Sequence, residues 1–117
     1  MTQKMRNLRV TQAISKWLVA NDLHGEVHIY FNDRVYSFEN DGKITRRSGI
    51  KGSTRFHYAN DDTVSMSFEG PLYEVLNFYH PRSGELHEQL TNLVWEHGFW
   101  FEKGNAWNLS LYNMEDL

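Results

Sequence analysis

A chain of 117 residues with a formal charge of −3 and no cysteine reads as one domain, which excludes disulfides and thiolate metal centres. Its 40% hydrophobic and 23% charged residues suit an ordinary globular domain, and no apolar run approaches the ~20 residues that cross a bilayer. The basic start MTQKMRNLR is followed by no apolar stretch, so a secretory signal and membrane partners are not expected, and the lack of cysteine fits a reducing cytoplasm.

The first element is a helix from Val10 to Asn21, because Val10, Ile14, Trp17 and Leu18 form one apolar stripe. Residues 1–8 are then a basic arm, expected to be flexible. From Glu26 the period changes to two. Val27, Ile29 and Phe31 alternate with His28 and Tyr30, as in a half-buried strand. A two-residue turn at Asn32-Asp33 pairs Phe31 with Arg34, Ile29 with Tyr36 and Val27 with Phe38. A three-residue loop, Asn40-Asp41-Gly42, then sets Phe38 opposite Ile44 and starts a third strand at Lys43 to Arg47.

Arg55 to Tyr58 and Thr63 to Phe68 read as two more strands, the second marked by alternating Val64, Met66 and Phe68. Pro71 suits the first position of a short helix carrying Leu72, Val75, Leu76 and Tyr79. Ser83 fits the N-cap and Gly98 the C-cap of a helix bearing Leu86, Leu90, Leu93 and Val94. A closing hairpin turns at Lys103-Gly104-Asn105. It pairs Phe101 with Trp107 and Phe99 with Leu109, and leaves Trp100 and Tyr112 on the opposite face. Residues 113–117 are expected as a flexible acidic tail. Strands followed by helices predict an α+β domain: a mainly antiparallel sheet of about five to seven strands, an N-terminal helix, and two helices before a C-terminal hairpin.

Charge divides near His57. Residues 1–57 carry ten basic and five acidic side chains, formally +5, while residues 58–117 carry two basic and ten acidic, formally −8. Such polarity bears on partners and encounter rates rather than on fold. Three groups of side chains are candidates for partner contact. Lys43, Arg46, Arg47, Lys51 and Arg55 lie in a stretch without acids and suit phosphates or an acidic protein surface; the same charges also suit a guarded edge strand. Lys4, Arg6 and Arg9 extend that patch if the arm folds back onto it.

Asp61, Asp62, Glu69 and Glu74 form a stretch without cations. They suit either ordinary surface charge or an imitation of a phosphate row. Tyr30, Trp100 and Tyr112, turned away from the apolar face, suit an interface or base stacking unless a second layer covers them.

No catalytic motif is present, and no cofactor is implied. His87-Glu88-Gln89-Leu90-Thr91 begins like a zinc-protease helix but has Thr91 where the second histidine must stand. His57, Asp61, Asp62 and Glu69 would need to converge across a hairpin to hold the divalent ion of a small hydrolase.

Two blocks, Ser65-Met66-Ser67-Phe68-Glu69-Gly70-Pro71-Leu72-Tyr73-Glu74 and Gly104-Asn105-Ala106-Trp107-Asn108-Leu109-Ser110-Leu111-Tyr112, resemble segments of small phage and prophage proteins of Gram-positive bacteria. The resemblance implies accessory phage biology: single-domain proteins, anti-CRISPR proteins among them, that block a host defence by binding a large nucleoprotein. It transfers no functional residues. The expected function is a non-enzymatic binding protein, acting in the cytoplasm of a bacterial host, that inhibits or modulates a host protein or nucleoprotein complex such as a CRISPR effector. The alternatives are a nucleic-acid-binding module using residues 43–55 and a small metal-dependent hydrolase. A bipolar surface also admits a homodimer, basic half to acidic half.

Overall fold

Two-residue alternation is realised in a six-stranded antiparallel sheet, described here from a computed structural model covering residues 1–117. The strands are β1 (Val27–Phe31), β2 (Arg34–Phe38), β3 (Ile44–Ser48), β4 (Val64–Phe68), β5 (Phe99–Asn105) and β6 (Asn108–Asn113). Their order is β3-β2-β1-β4-β6-β5, so β3 and β5 are the edges. Three helices, α1 (Gln3–Ala20), α2 (Pro71–Leu76) and α3 (Ser83–Glu96), cover one face. The expected α+β architecture is therefore the one observed.

The apolar positions explain the layering. Val27, Ile29, Phe31, Val64, Met66, Phe68, Phe99, Leu109 and Leu111 face the helices and are all buried. Val10, Ile14 and Leu18 of α1 pack on them together with Leu86, Leu90 and Val94 of α3. Each fully buried side chain of this size contributes roughly 1.5–3 kcal/mol. These contacts outweigh the weak intrinsic preference of any single strand.

Both early turns form as their residue types require. Asn32 and Asp33 take φ of 51° and 59°, and Phe31 lies opposite Arg34. In the next loop, Glu39 N donates to the Lys43 carbonyl at 2.8 Å, Gly42 takes φ of 87°, and Phe38 faces Ile44.

Several expectations are corrected. Residues 3–8 are helix, not an arm. Thr2 caps α1 by accepting from Met5 N at 3.2 Å, and buried Asn7 donates to Asn32 Oδ1 and to the Asp62 carbonyl, both at 3.1 Å. Polar contacts and the lone apolar anchor Leu8 hold these first turns, so no apolar stripe announces them. The acidic tail likewise docks. Met114 N donates to the Gly98 carbonyl at 3.0 Å, and Glu115 meets Arg6 at 3.5 Å. Ser83 is the first residue of α3 rather than its cap; its hydroxyl accepts from His80 N at 3.1 Å.

No strand forms at Arg55–Tyr58. The Arg55 and Phe56 amides both donate to the Gly52 carbonyl, at 2.8 and 3.1 Å, instead of to a neighbouring strand. The closing hairpin is also re-registered. Phe101 opposes Leu111 and Asn105 opposes Asn108, so Ala106-Trp107 is the turn, with a bulge between Lys103 and Asn105. Asn105 Oδ1 accepts from Trp107 N at 2.9 Å, and Asn77 Nδ2 donates to the Ala106 carbonyl at 2.7 Å. The shift along β6 is even, so every core residue except Trp107 keeps its expected face.

A polar groove on the open sheet face

The face away from the helices is built from the alternate residues of the same strands. His28 lies opposite Ser37 on β2 and Ser67 on β4; Ser37 lies opposite Thr45, and Ser67 opposite Asn108. Thr45, Ser37, His28, Ser67 and Asn108 thus form a polar row across five strands. The next row runs Arg47, Val35, Tyr30, Ser65, Ser110 and Glu102.

The segment 49–63, joining edge strand β3 to central β4, crosses this second row. Asn60 N donates to Ser65 Oγ at 2.7 Å, Ser110 Oγ donates to the Tyr58 carbonyl at 2.9 Å, and Asn60 Nδ2 reaches the Leu111 carbonyl at 3.1 Å. The Phe56 ring stands edge-on between Tyr30 and Trp107, with 5.7 Å between centroids on each side. Gly52 lies so close to Tyr30 that a Cβ there would sit 3.3 Å from the Tyr30 Cβ.

The crossing leaves the first row open as a groove with two recesses that share His28. One, of about 220 Å³, is lined by Arg47, Arg55, Tyr30, Ser37 and His28 and contains no acid. The other, of about 290 Å³, is lined by Glu26, Glu69, Ser67, Trp107 and His28. His28 Nδ1 lies 2.7 Å from Ser37 Oγ. Desolvation holds the imidazole pKa below its ordinary value; Arg55 pushes the same way and Glu69 opposes.

The residues singled out from sequence scatter relative to this groove. Arg47 and Arg55 stand in the acid-free recess and form no ion pair. Arg46 points to the helix side, its guanidinium 4.8 Å from the centre of the Tyr36 ring. Lys43 lies 3.8 Å from Asp41 and Lys51 lies 3.6 Å from Asp33. Tyr30 is half-buried under Phe56. Trp100 and Tyr112 stack on each other at 4.9 Å across β5 and β6, also half-buried.

The four acids do not make one field. Asp61 binds Ser53, exposed Asp62 follows it, Glu69 lies beyond the far end of β4, and Glu74 is on α2. His57, Asp61, Asp62 and Glu69 do not gather, and no three His, Asp or Glu side chains are placed to hold a metal ion.

The charge split of the chain is only partly a split in space. Arg6 bonds Glu115, and Arg6 and Arg9 share a recess with Glu96, so α1 interleaves its cations with acids of the second half. Lys4 does approach the basic segment: its carbonyl accepts from Asn32, beside the Asp33 that meets Lys51.

Sequence reasoning did not gather His28, Ser37 and Ser67 into one site, although polar residues at alternate positions of apolar strands signal a solvent-facing row. It also set Trp107 in the core, whereas Trp107 is 36% exposed and Tyr58, on the crossing segment, is 72% exposed. No protein-family model, curated protein or solved structure matches this chain.

Proposed function

We propose that the chain is a non-enzymatic binding protein of the mobile-element kind its resemblance implies. It holds a host protein or nucleoprotein complex, such as a CRISPR effector, by the open sheet face and the segment that crosses it, and so modulates that target in the bacterial cytoplasm. The observation that carries this reading is the gathering of uncommitted cations and exposed aromatics around the crossing segment. Arg47 and Arg55 have no acidic partner, Tyr58 on the segment is largely in water, and Trp107 beside it is partly exposed.

Arg, Tyr and Trp are the side chains that dominate binding energy at protein interfaces. Tyr58 also holds φ of 67°, a backbone setting that costs a non-glycine residue roughly 1–3 kcal/mol. The hydrogen bond from Ser110 to its carbonyl keeps it there. A strained, exposed tyrosine on a clamped segment suits a prepared contact point.

The test is affinity capture from a bacterial host lysate, followed by association rates with the purified partner. Wild-type protein should retain a discrete partner, and Arg47→Glu with Arg55→Glu should slow association more at low than at high salt. Arg46→Glu, on the other face, should have a smaller effect. An association rate unchanged by the double reversal would remove this face from the mechanism.

Direct nucleic-acid binding by the same cations is a second reading, supported by the same absence of ion pairs. It requires a low-salt gel shift that weakens steeply as salt rises.

A further inference from the structure

We propose that the acid-free recess between β2, β3 and the crossing segment binds a single phosphate group, as free phosphate or as a phosphomonoester. The inference goes beyond the partner reading, because it concerns a small ligand and can be tested without any host component.

The argument starts from what lines the recess. Arg47 enters from β3 and Arg55 from the crossing segment, into a volume of about 220 Å³. Neither guanidinium makes an ion pair, and no hydrogen bond within the protein commits either one. Two cations facing one recess without a counter-charge repel each other, and a bound oxyanion relieves that repulsion. Guanidinium forks suit this task because two parallel N–H donors match two phosphate oxygens.

The other polar groups at the recess fit the same ligand. Tyr30, Ser37 and His28 complete the polar lining of the recess. The single hydroxyl hydrogen of Ser37 either goes to His28 Nδ1, 2.7 Å away, which puts the ring hydrogen on Nε2, or goes to a bound oxyanion while Nδ1–H donates to Ser37 Oγ; either tautomer leaves the pair one donor. Burial lowers the proton affinity of this imidazole, with Glu69 opposing and Arg55 adding to the effect. A bound dianion would reverse that balance and draw a proton onto the ring.

Charge also limits what the groove accepts. Beyond His28, the adjoining recess carries Glu26 and Glu69. A nucleic-acid backbone laid along the polar row would bring its next phosphates against these carboxylates. An isolated phosphate at the Arg47–Arg55 end meets no such repulsion.

The test is a heteronuclear NMR titration of the intact protein with sodium phosphate at pH 7. Ionic strength is held constant with chloride, and parallel titrations use adenosine monophosphate and a single-stranded oligothymidylate. Saturable shifts at Arg47, Arg55 and His28, with the His28 pKa rising on binding, are expected. Response to phosphate alone assigns the site to the free ion, and response to both small ligands assigns it to phosphomonoesters.

Arg47→Gln and Arg55→Gln should each weaken binding by about tenfold or more. Arg46→Gln should leave it unchanged. Ser37→Ala, which keeps both charges, should weaken binding less and controls for the fold. Three results would overturn the proposal: shifts that never saturate, shifts reproduced by chloride, or oligothymidylate binding without phosphate binding. If host capture persists under any of these, only the phosphate site is lost; if phosphate binds but no partner is captured, only the partner reading is lost.

Discussion

Asp61 Oδ1 accepts from the Ser53 amide at 3.1 Å, and its second oxygen accepts from the Ser53 hydroxyl, so one carboxylate ties the two ends of the crossing segment together. Eight residues apart in the chain, Ser53 and Asp61 close this segment over the β-sheet. The acid that sequence alone offers as a contact residue therefore serves the fold.

Asp61→Ala should loosen the segment and cost about 1 kcal/mol, since the bonds are charge-assisted but lie at the surface. Urea unfolding measures the cost. Hydrogen exchange should localise it, with faster exchange at Ser53 and its neighbours and unchanged protection in β1. Equal acceleration throughout the sheet would mean that the segment and the core open together.

Gly52 provides a second, independent handle on the same crossing. It is buried, and an added Cβ would lie 3.2 Å from the Ala59 Cβ and 3.3 Å from the Tyr30 Cβ. Gly52→Val should push the segment off Tyr30 and destabilise by about 1–3 kcal/mol through overpacking. The NMR shifts of the Tyr30 ring and the urea midpoint should change together. A midpoint equal to wild type would show that the segment yields without cost.

The core should respond on a larger scale than the surface. Phe68 is fully buried between the sheet and the helices, so Phe68→Ala should cost about 3–5 kcal/mol. Trp95, on α3, is 51% exposed, and Trp95→Ala should fall within about 0.5 kcal/mol of wild type. The pair checks the layer assignment by denaturant unfolding, because a costly Trp95 substitution would mean that this face of α3 is covered.

What could be read in advance follows from which forces leave a local trace. Val27, Ile29 and Phe31 alternate, and Asn32-Asp33 and Asn40-Asp41-Gly42 tolerate positive φ, so the first three strands and their register were legible. The start of α1 was not, because Asn7 is held by Asn32 and the Asp62 carbonyl, contacts made across the fold. Trp107 was misplaced for a similar reason. Its turn is stabilised by Asn105 from within and by Asn77, the C-cap of α2, and only the second of these could not be inferred from neighbouring residues. The groove itself arises where residues from β1 to β4 and the crossing segment meet. Arg47 and Arg55 were recognisable as cations, but their separation from Arg46 depends on the strand parity of β3 and on the path of residues 49–63.

His28 supplies the prediction in which fold and groove meet. Desolvation is the largest cause of its lowered pKa, Arg55 adds to it, and Glu69 works against it; Glu26 lines the same adjoining recess. In the unfolded chain the imidazole regains its ordinary affinity for protons. Between the ordinary pKa and the lowered one, the unfolded state binds more protons, so native stability falls as pH drops through that window. Below the folded value the loss levels off, and above the ordinary value the full contribution is present. His28→Gln keeps a polar group opposite Ser37 and should flatten this part of the stability–pH curve. An imidazole NMR titration of the wild type should show a midpoint below that of an unperturbed histidine. Glu69→Gln should lower it further by removing the one opposing charge, and Arg55→Gln should raise it. A His28 midpoint at the unperturbed value, indifferent to both substitutions, would mean that the ring stands in bulk water and that the groove does not enclose it.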